Sequence, residues 1–110
     1  MNQMLVRPPS GAPVPWTLLF VGSQELEPGM RRLSLVGDEL EGIALHVGQR
    51  LLVNLPAEDG KGPARSCRIA GFDRQELRLE LDLAVAGDER AAHWMVAARI
   101  GDPVVVAAAP

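Results

Sequence analysis

Between Glu76 and Leu83 leucines and charged residues alternate without a break. Leu77, Leu79, Leu81 and Leu83 fall on one face of an extended chain, and Glu76, Arg78, Glu80 and Asp82 fall on the other. That period of two predicts a half-buried antiparallel strand over residues 76–85. The same reading finds β-prone or alternating runs at 16–21, 31–36, 50–55 and 65–72, and a short apolar run at 104–106.

Turn residues punctuate these runs. Glu27-Pro28-Gly29-Met30 and Gly37-Asp38 bound the second strand, and Pro56 stops the third. Residues 39–45 read as a connection with one helical turn, and 57–64, carrying Asp59-Gly60-Lys61-Gly62-Pro63, as a flexible loop. Asp73-Arg74-Gln75 has hairpin length without the glycine such turns favour. Asp88 is placed to cap a short helix over 91–98, which Gly101 is expected to end. Residues 1–13, with Pro8, Pro9 and Pro13, form an expected flexible arm, and 14–110 a single β domain. Six short strands with one late helix predict an all-β fold, a six-stranded antiparallel Greek-key barrel.

Composition narrows the function classes. The 110 residues suffice for one domain and one core. A net charge of -3 argues against nucleic acid or an anionic membrane as the main partner. Cys67 is the sole cysteine, and His46 and His93 lack ligand spacing, so no metal site is expected. No apolar run reaches membrane-spanning length, and residues 1–10 lack a signal-peptide pattern, so the expected compartment is the cytoplasm.

Four pieces of sequence, in order and with matching gaps, carry a resemblance. They are Pro28-Gly29-Met30-Arg31-Arg32-Leu33-Ser34-Leu35, Val47-Gly48-Gln49-Arg50-Leu51, Arg65-Ser66-Cys67-Arg68, and Leu81-Asp82-Leu83 through Gly87-Asp88 to His93-Trp94. Together, over about residues 14–110, they resemble the FAD-binding barrel of the siderophore-interacting proteins, a branch of the ferredoxin-reductase-like flavoproteins with a riboflavin-synthase-like barrel. In that family an Arg-Thr-Tyr-Thr motif grips the flavin. Its arginine contacts phosphate, its tyrosine lies against the ring, and its hydroxyls bond the ring's polar edge.

The resemblance implies a cofactor-binding set of Arg65, Ser66, Cys67, Arg68, Gly87, Asp88, Ala91 and Ala92, with FAD as the cofactor. Arg65 keeps the planar fork suited to phosphate, and Ser66 keeps a hydroxyl. Cys67 replaces the stacking tyrosine, Arg68 replaces a small hydroxyl, and Asp88 and Glu89 put negative charge where backbone amides should approach pyrophosphate. The implied function is a siderophore-interacting flavin domain with weakened or lost flavin binding, related to flavin-dependent ferric-siderophore reductases. The family's nicotinamide-binding domain has no counterpart in these 110 residues, so any oxidoreductase activity is expected to need a separate reductase or NAD(P)H-binding partner. A non-catalytic binding or regulatory barrel and one subunit of a split flavoenzyme stand as rival readings.

Read as residues alone, Cys67 is a small buried group and the charges of 76–82 form a solvated face. Trp94, at helical spacing from Ala91 and Ala98, is expected to plug one barrel end, as the resemblance implies. No residue is singled out as catalytic. The apolar C-terminal run 104–109 is expected to support a homodimer, through that strand or the helix face around Trp94.

Overall fold

The computed structural model describes residues 15–55 and 64–109. The expected arm over 1–13, and the expected loop over 57–64 except its last residue, lie outside that range. Six antiparallel strands close into a barrel: β1 (Trp16–Glu27), β2 (Met30–Val36), β3 (Arg50–Asn54), β4 (Ala64–Asp73), β5 (Arg78–Ala84) and β6 (Pro103–Ala108). Their order is β1-β2-β5-β4-β3-β6, so β2 pairs β5 and β3 pairs β6 across skipped strands. This is the Greek-key arrangement that the strand pattern predicts.

The alternation in β5 does the packing expected of it. Leu79, Leu81 and Leu83 are at most 2% exposed. Leu81 lies in register between Leu33 of β2 and Ile69 of β4, and Leu79 beside Leu35. Each fully buried leucine contributes about 1.5–3 kcal/mol relative to an exposed one. On the outer face of β5, Glu80 and Asp82 are half-buried rather than fully solvated: Asp82 pairs with Arg32 of β2 (Nε–Oδ1 2.8 Å), and Glu80 accepts from the Ser34 hydroxyl at 3.3 Å.

The barrel's ends are closed differently. A 3-10 turn at Asp38–Leu40 follows β2 and drives Leu40 fully inside. At the other end α1 (Glu89–Ala97) follows β5 and buries Ala91 and Met95.

The element boundaries depart from the sequence reading most at β1, β5 and α1. β1 runs on to Glu27, because its polar second half pairs with β2 as a ribbon where alternation has no core to report. Strand β5 starts only at Arg78: Glu76 sits in the turn, and Leu77 takes a left-handed conformation (φ 53°). In place of a glycine, Asp73 Oδ1 accepts from the backbone N–H groups of Gln75 (2.9 Å) and Glu76 (3.1 Å), an Asx-type turn. The helix ends at Ala97 with Ala98 as its cap, not at Gly101, whose φ of +99° shapes the turn into β6. Strand β6 is hydrogen-bonded to both β1 and β3, so it offers no free edge for association.

Candidate functional site

Between β5 and α1 the chain must turn sharply, and Gly29 makes room for it. The Gly29 carbonyl accepts from the N–H groups of Val85 (2.8 Å) and Ala86 (3.3 Å). Gly29 has φ +87°, and a Cβ there would lie 2.8 Å from that of Ala86. Only glycine satisfies both constraints cheaply. Gly87, with φ +75°, completes the turn, and the Asp88 N–H donates to the Val85 carbonyl at 3.0 Å. Asp88 is thereby set at the start of α1, where its carboxylate accepts from the Ala91 N–H at 3.1 Å as a helix N-cap.

Arg65 reaches the same carboxylate from the start of β4. Its Nε lies 2.5 Å from Asp88 Oδ2 and its second terminal nitrogen 3.1 Å from Oδ1, a two-bond fork. The side chains are 13% and 29% exposed respectively, so water screens the pair only in part. The hydrogen bonds from Arg65, then the Ala91 N–H, hold the Asp88 carboxyl below its ordinary range. The same hydrogen bond raises Arg65 further above an already basic value.

Strand alternation divides the rest of the expected site. Cys67 points into the core at 2% exposure, and burial pushes its thiol up to about 12. Ser66 and Arg68 face outward. The Ser66 hydroxyl accepts from Arg50 at 3.0 Å, and Arg68 sits in register between Arg50 and Asp82. The Ala91 side chain is buried beneath the helix; its backbone N–H takes part in the cap, while the Ala92 N–H donates to the Asp88 carbonyl. Thus Arg65, Gly87, Asp88 and Ala91 converge, whereas Ser66 and Arg68 lie on the opposite face of β4 from Cys67.

The arginine pair opening β2 is also split, which the sequence pattern does not reveal. Arg32 faces out and binds Asp82 through two bonds (2.8 and 3.1 Å). Arg31, in register with Leu83 and Glu25, donates to Ser23 Oγ at 3.0 Å, and its Nε is buried without a hydrogen-bond partner. Among the described residues no three His, Cys, Asp or Glu side chains converge on a metal-sized site, and no helix is long and apolar enough to cross a membrane.

The architecture defines the class: a closed, six-stranded antiparallel barrel with a helix after its fifth strand. By fold it matches the siderophore-interacting proteins. The siderophore-interacting protein SipS from Aeromonas hydrophila superposes with a TM-score of 0.65 at 23% identity, covering 87% of this chain and 43% of that one. A siderophore utilization protein from T. fusca gives 0.69 at 19% identity, covering 87% and 44%. The siderophore-interacting protein from Acinetobacter baumannii gives 0.64 at 16%, covering 84% and 39%. The chain therefore spans less than half the length of each. No family model and no curated protein matches the sequence.

The residues present do not fit a tightly held flavin. The resemblance assigns the phosphate to Arg65 and the amides opening α1, and the Asp88 carboxylate already accepts from both. Where the resemblance expects the stacking aromatic, the chain has Cys67, whose thiol is directed into the core.

Proposed function

We propose that this chain is a barrel module of the siderophore-interacting type, serving ferric-siderophore reduction, with low intrinsic affinity for flavin. The observation that carries this reading is the closed barrel, which superposes on three siderophore-linked structures over 84–87% of the chain. The sequence pieces at 28–35, 47–51, 65–68 and 81–94 support it independently of the superposition. Low affinity follows from two losses. A missing stacked aromatic removes about 1–3 kcal/mol, or roughly one to two decades of affinity. An acidic side chain at the helix start opposes a phosphate dianion. Electrons for ferric-siderophore reduction would reach such a barrel from a nicotinamide-dependent donor.

The test is an absorption spectrum of purified protein, followed by titration with FAD. The expected outcome is colourless protein that binds added FAD weakly. Binding should be lost when Arg65→Gln removes the phosphate fork. Yellow protein with stoichiometric flavin would show the affinity to be high. Absence of binding at any flavin concentration would favour a barrel that has lost the cofactor altogether.

A further inference from the structure

Asp88 meets the two partners that the resemblance assigns to a flavin phosphate, the Arg65 guanidinium and an amide at the start of α1. One oxygen receives the Arg65 Nε, and the other receives both an Arg65 terminal nitrogen (3.1 Å) and the Ala91 N–H (3.1 Å). A carboxylate with two oxygens on a guanidinium fork and a helix-start amide presents the charge and acceptor geometry of a phosphate edge. The contact is fixed rather than casual. Gly29 clamps the backbone just before Asp88, Gly87 supplies the turn, and Asp88 itself starts α1. Resting on the reading that this is a flavin-type barrel, we propose that Asp88 is an internal pseudo-ligand: its carboxylate occupies the flavin-phosphate position and sets the chain's affinity for phosphorylated flavins.

Three consequences separate this idea from a merely structural ion pair. The effect of Asp88 should depend on the ligand's phosphate, so riboflavin, which has none, should be indifferent to it. It should act through Arg65. It should survive a substitution that keeps the helix cap. Asparagine caps a helix about as well as aspartate but carries no charge. Asp88→Asn therefore keeps the local fold while removing the anion that faces Arg65.

The experiment titrates wild type, Asp88→Asn and Arg65→Gln/Asp88→Asn with FMN, FAD and riboflavin at fixed ionic strength, with circular dichroism confirming the fold. Asp88→Asn should tighten FMN and FAD by roughly tenfold or more, the equivalent of one charge-assisted hydrogen bond. Riboflavin binding should stay within about twofold, and adding Arg65→Gln should cancel the gain. Inorganic pyrophosphate should compete with FMN in Asp88→Asn. Unchanged FMN affinity in folded Asp88→Asn, or a gain shared equally by riboflavin, would overturn the proposal. Should Asp88→Asn not fold, Asp88→Ser, which keeps a capping oxygen, is read by the same criteria. Tight FAD binding by wild type would instead overturn the low-affinity reading, whereas the pseudo-ligand is judged by the ratio between variant and wild type.

Discussion

The indole of Trp94 stands nearly perpendicular to the phenyl ring of Phe20, with centroids 5.3 Å apart and planes at 80°. This edge-on contact ties α1 to β1. Ala91 and Met95, on the same helix face, are buried beneath it. The helix is thus docked as a plug by spacing that the sequence displays, and the Arg65–Asp88 fork fastens its first turn. Position and chemistry at this end of the barrel depend on one another.

Removing the indole should loosen the plug. Trp94 is half-buried against the core, while Phe20 is 5% exposed, so Trp94→Ala should cost about 2–3 kcal/mol, below the range for a fully buried tryptophan. Phe20→Leu, which keeps apolar volume but loses the edge contact, should cost about 1 kcal/mol. Urea unfolding followed by circular dichroism measures both. Equal, near-zero effects would mean that the helix is held by its first turn alone.

Leu79→Ala should cost about 2–5 kcal/mol, because Leu79 is fully buried between Leu35 and Phe72 in register. Leu77→Ala should cost distinctly less, since Leu77 is half-buried in the turn before β5. Similar losses at the two sites would contradict this boundary.

That pair of leucines also shows what the sequence makes legible. Alternation marks Leu79, Leu81 and Leu83 correctly, since each meets a core. It extends falsely to Leu77, where Asp73 closes the turn by side-chain bonding that no periodicity records. It stops short in β1, because Gln24 to Glu27 pair with β2 at a rim with little to bury. At the site, the sequence exposes the helix cap in Asp88 and the phosphate-suited fork in Arg65. It does not expose their union, which spans 23 residues and exists only once β4, β5 and α1 are assembled. The inward turn of Cys67 is readable from alternation, whereas the split of Arg31 from Arg32 needs the register with β5.

Acid should weaken the fold through Asp88. Its carboxyl lies below the ordinary range when folded, first through Arg65 and then through the Ala91 N–H. Such a group contributes stability above its unfolded value of about 3.9, and the contribution is lost as pH falls through the lower folded value. Stability should therefore hold from neutral pH to about pH 5 and decline below it, with a shallower decline in Asp88→Asn. At pH 7 that variant should be less stable by about 1–2 kcal/mol, having lost charge from the fork but kept the cap. Parallel pH profiles for the two proteins would show that Asp88 is not the group responsible.

Alkali should act through Cys67 with the opposite slope. Burial pushes its folded thiol up to about 12, while an unfolded thiol ionises near 8.5. The unfolded state alone then releases this proton between those values, so stability falls as pH rises through that window. The native thiol should also resist a disulfide reagent at pH 8 and react promptly in denaturant. Fast native labelling would show that the β4 start opens readily. Cys67→Ala should flatten the alkaline decline.

We expect the chain to associate as a homodimer at micromolar concentration, through side chains rather than through a strand edge. β6 is paired on both sides, which closes the edge route. Exposed apolar side chains remain on α1 and the turn after it, where Val96 is 84% exposed and Ile100 78%, and on β1 and β6, with Leu19 at 44% and Val105 at 36%. The turn carrying Ile100 is tied to β1 at Phe20, the neighbour of Leu19, by the Gly101 N–H to Phe20 carbonyl bond of 2.8 Å. Large exposed apolar side chains tend to be covered by association, and a two-fold contact lets one surface cover itself. Light scattering across a concentration series should report a mass approaching twice the 11.8 kDa of one chain. Val96→Glu with Ile100→Glu should shift it to the monomer without loss of fold, since neither side chain is buried. A wild-type mass fixed at 11.8 kDa at every concentration would rule the dimer out.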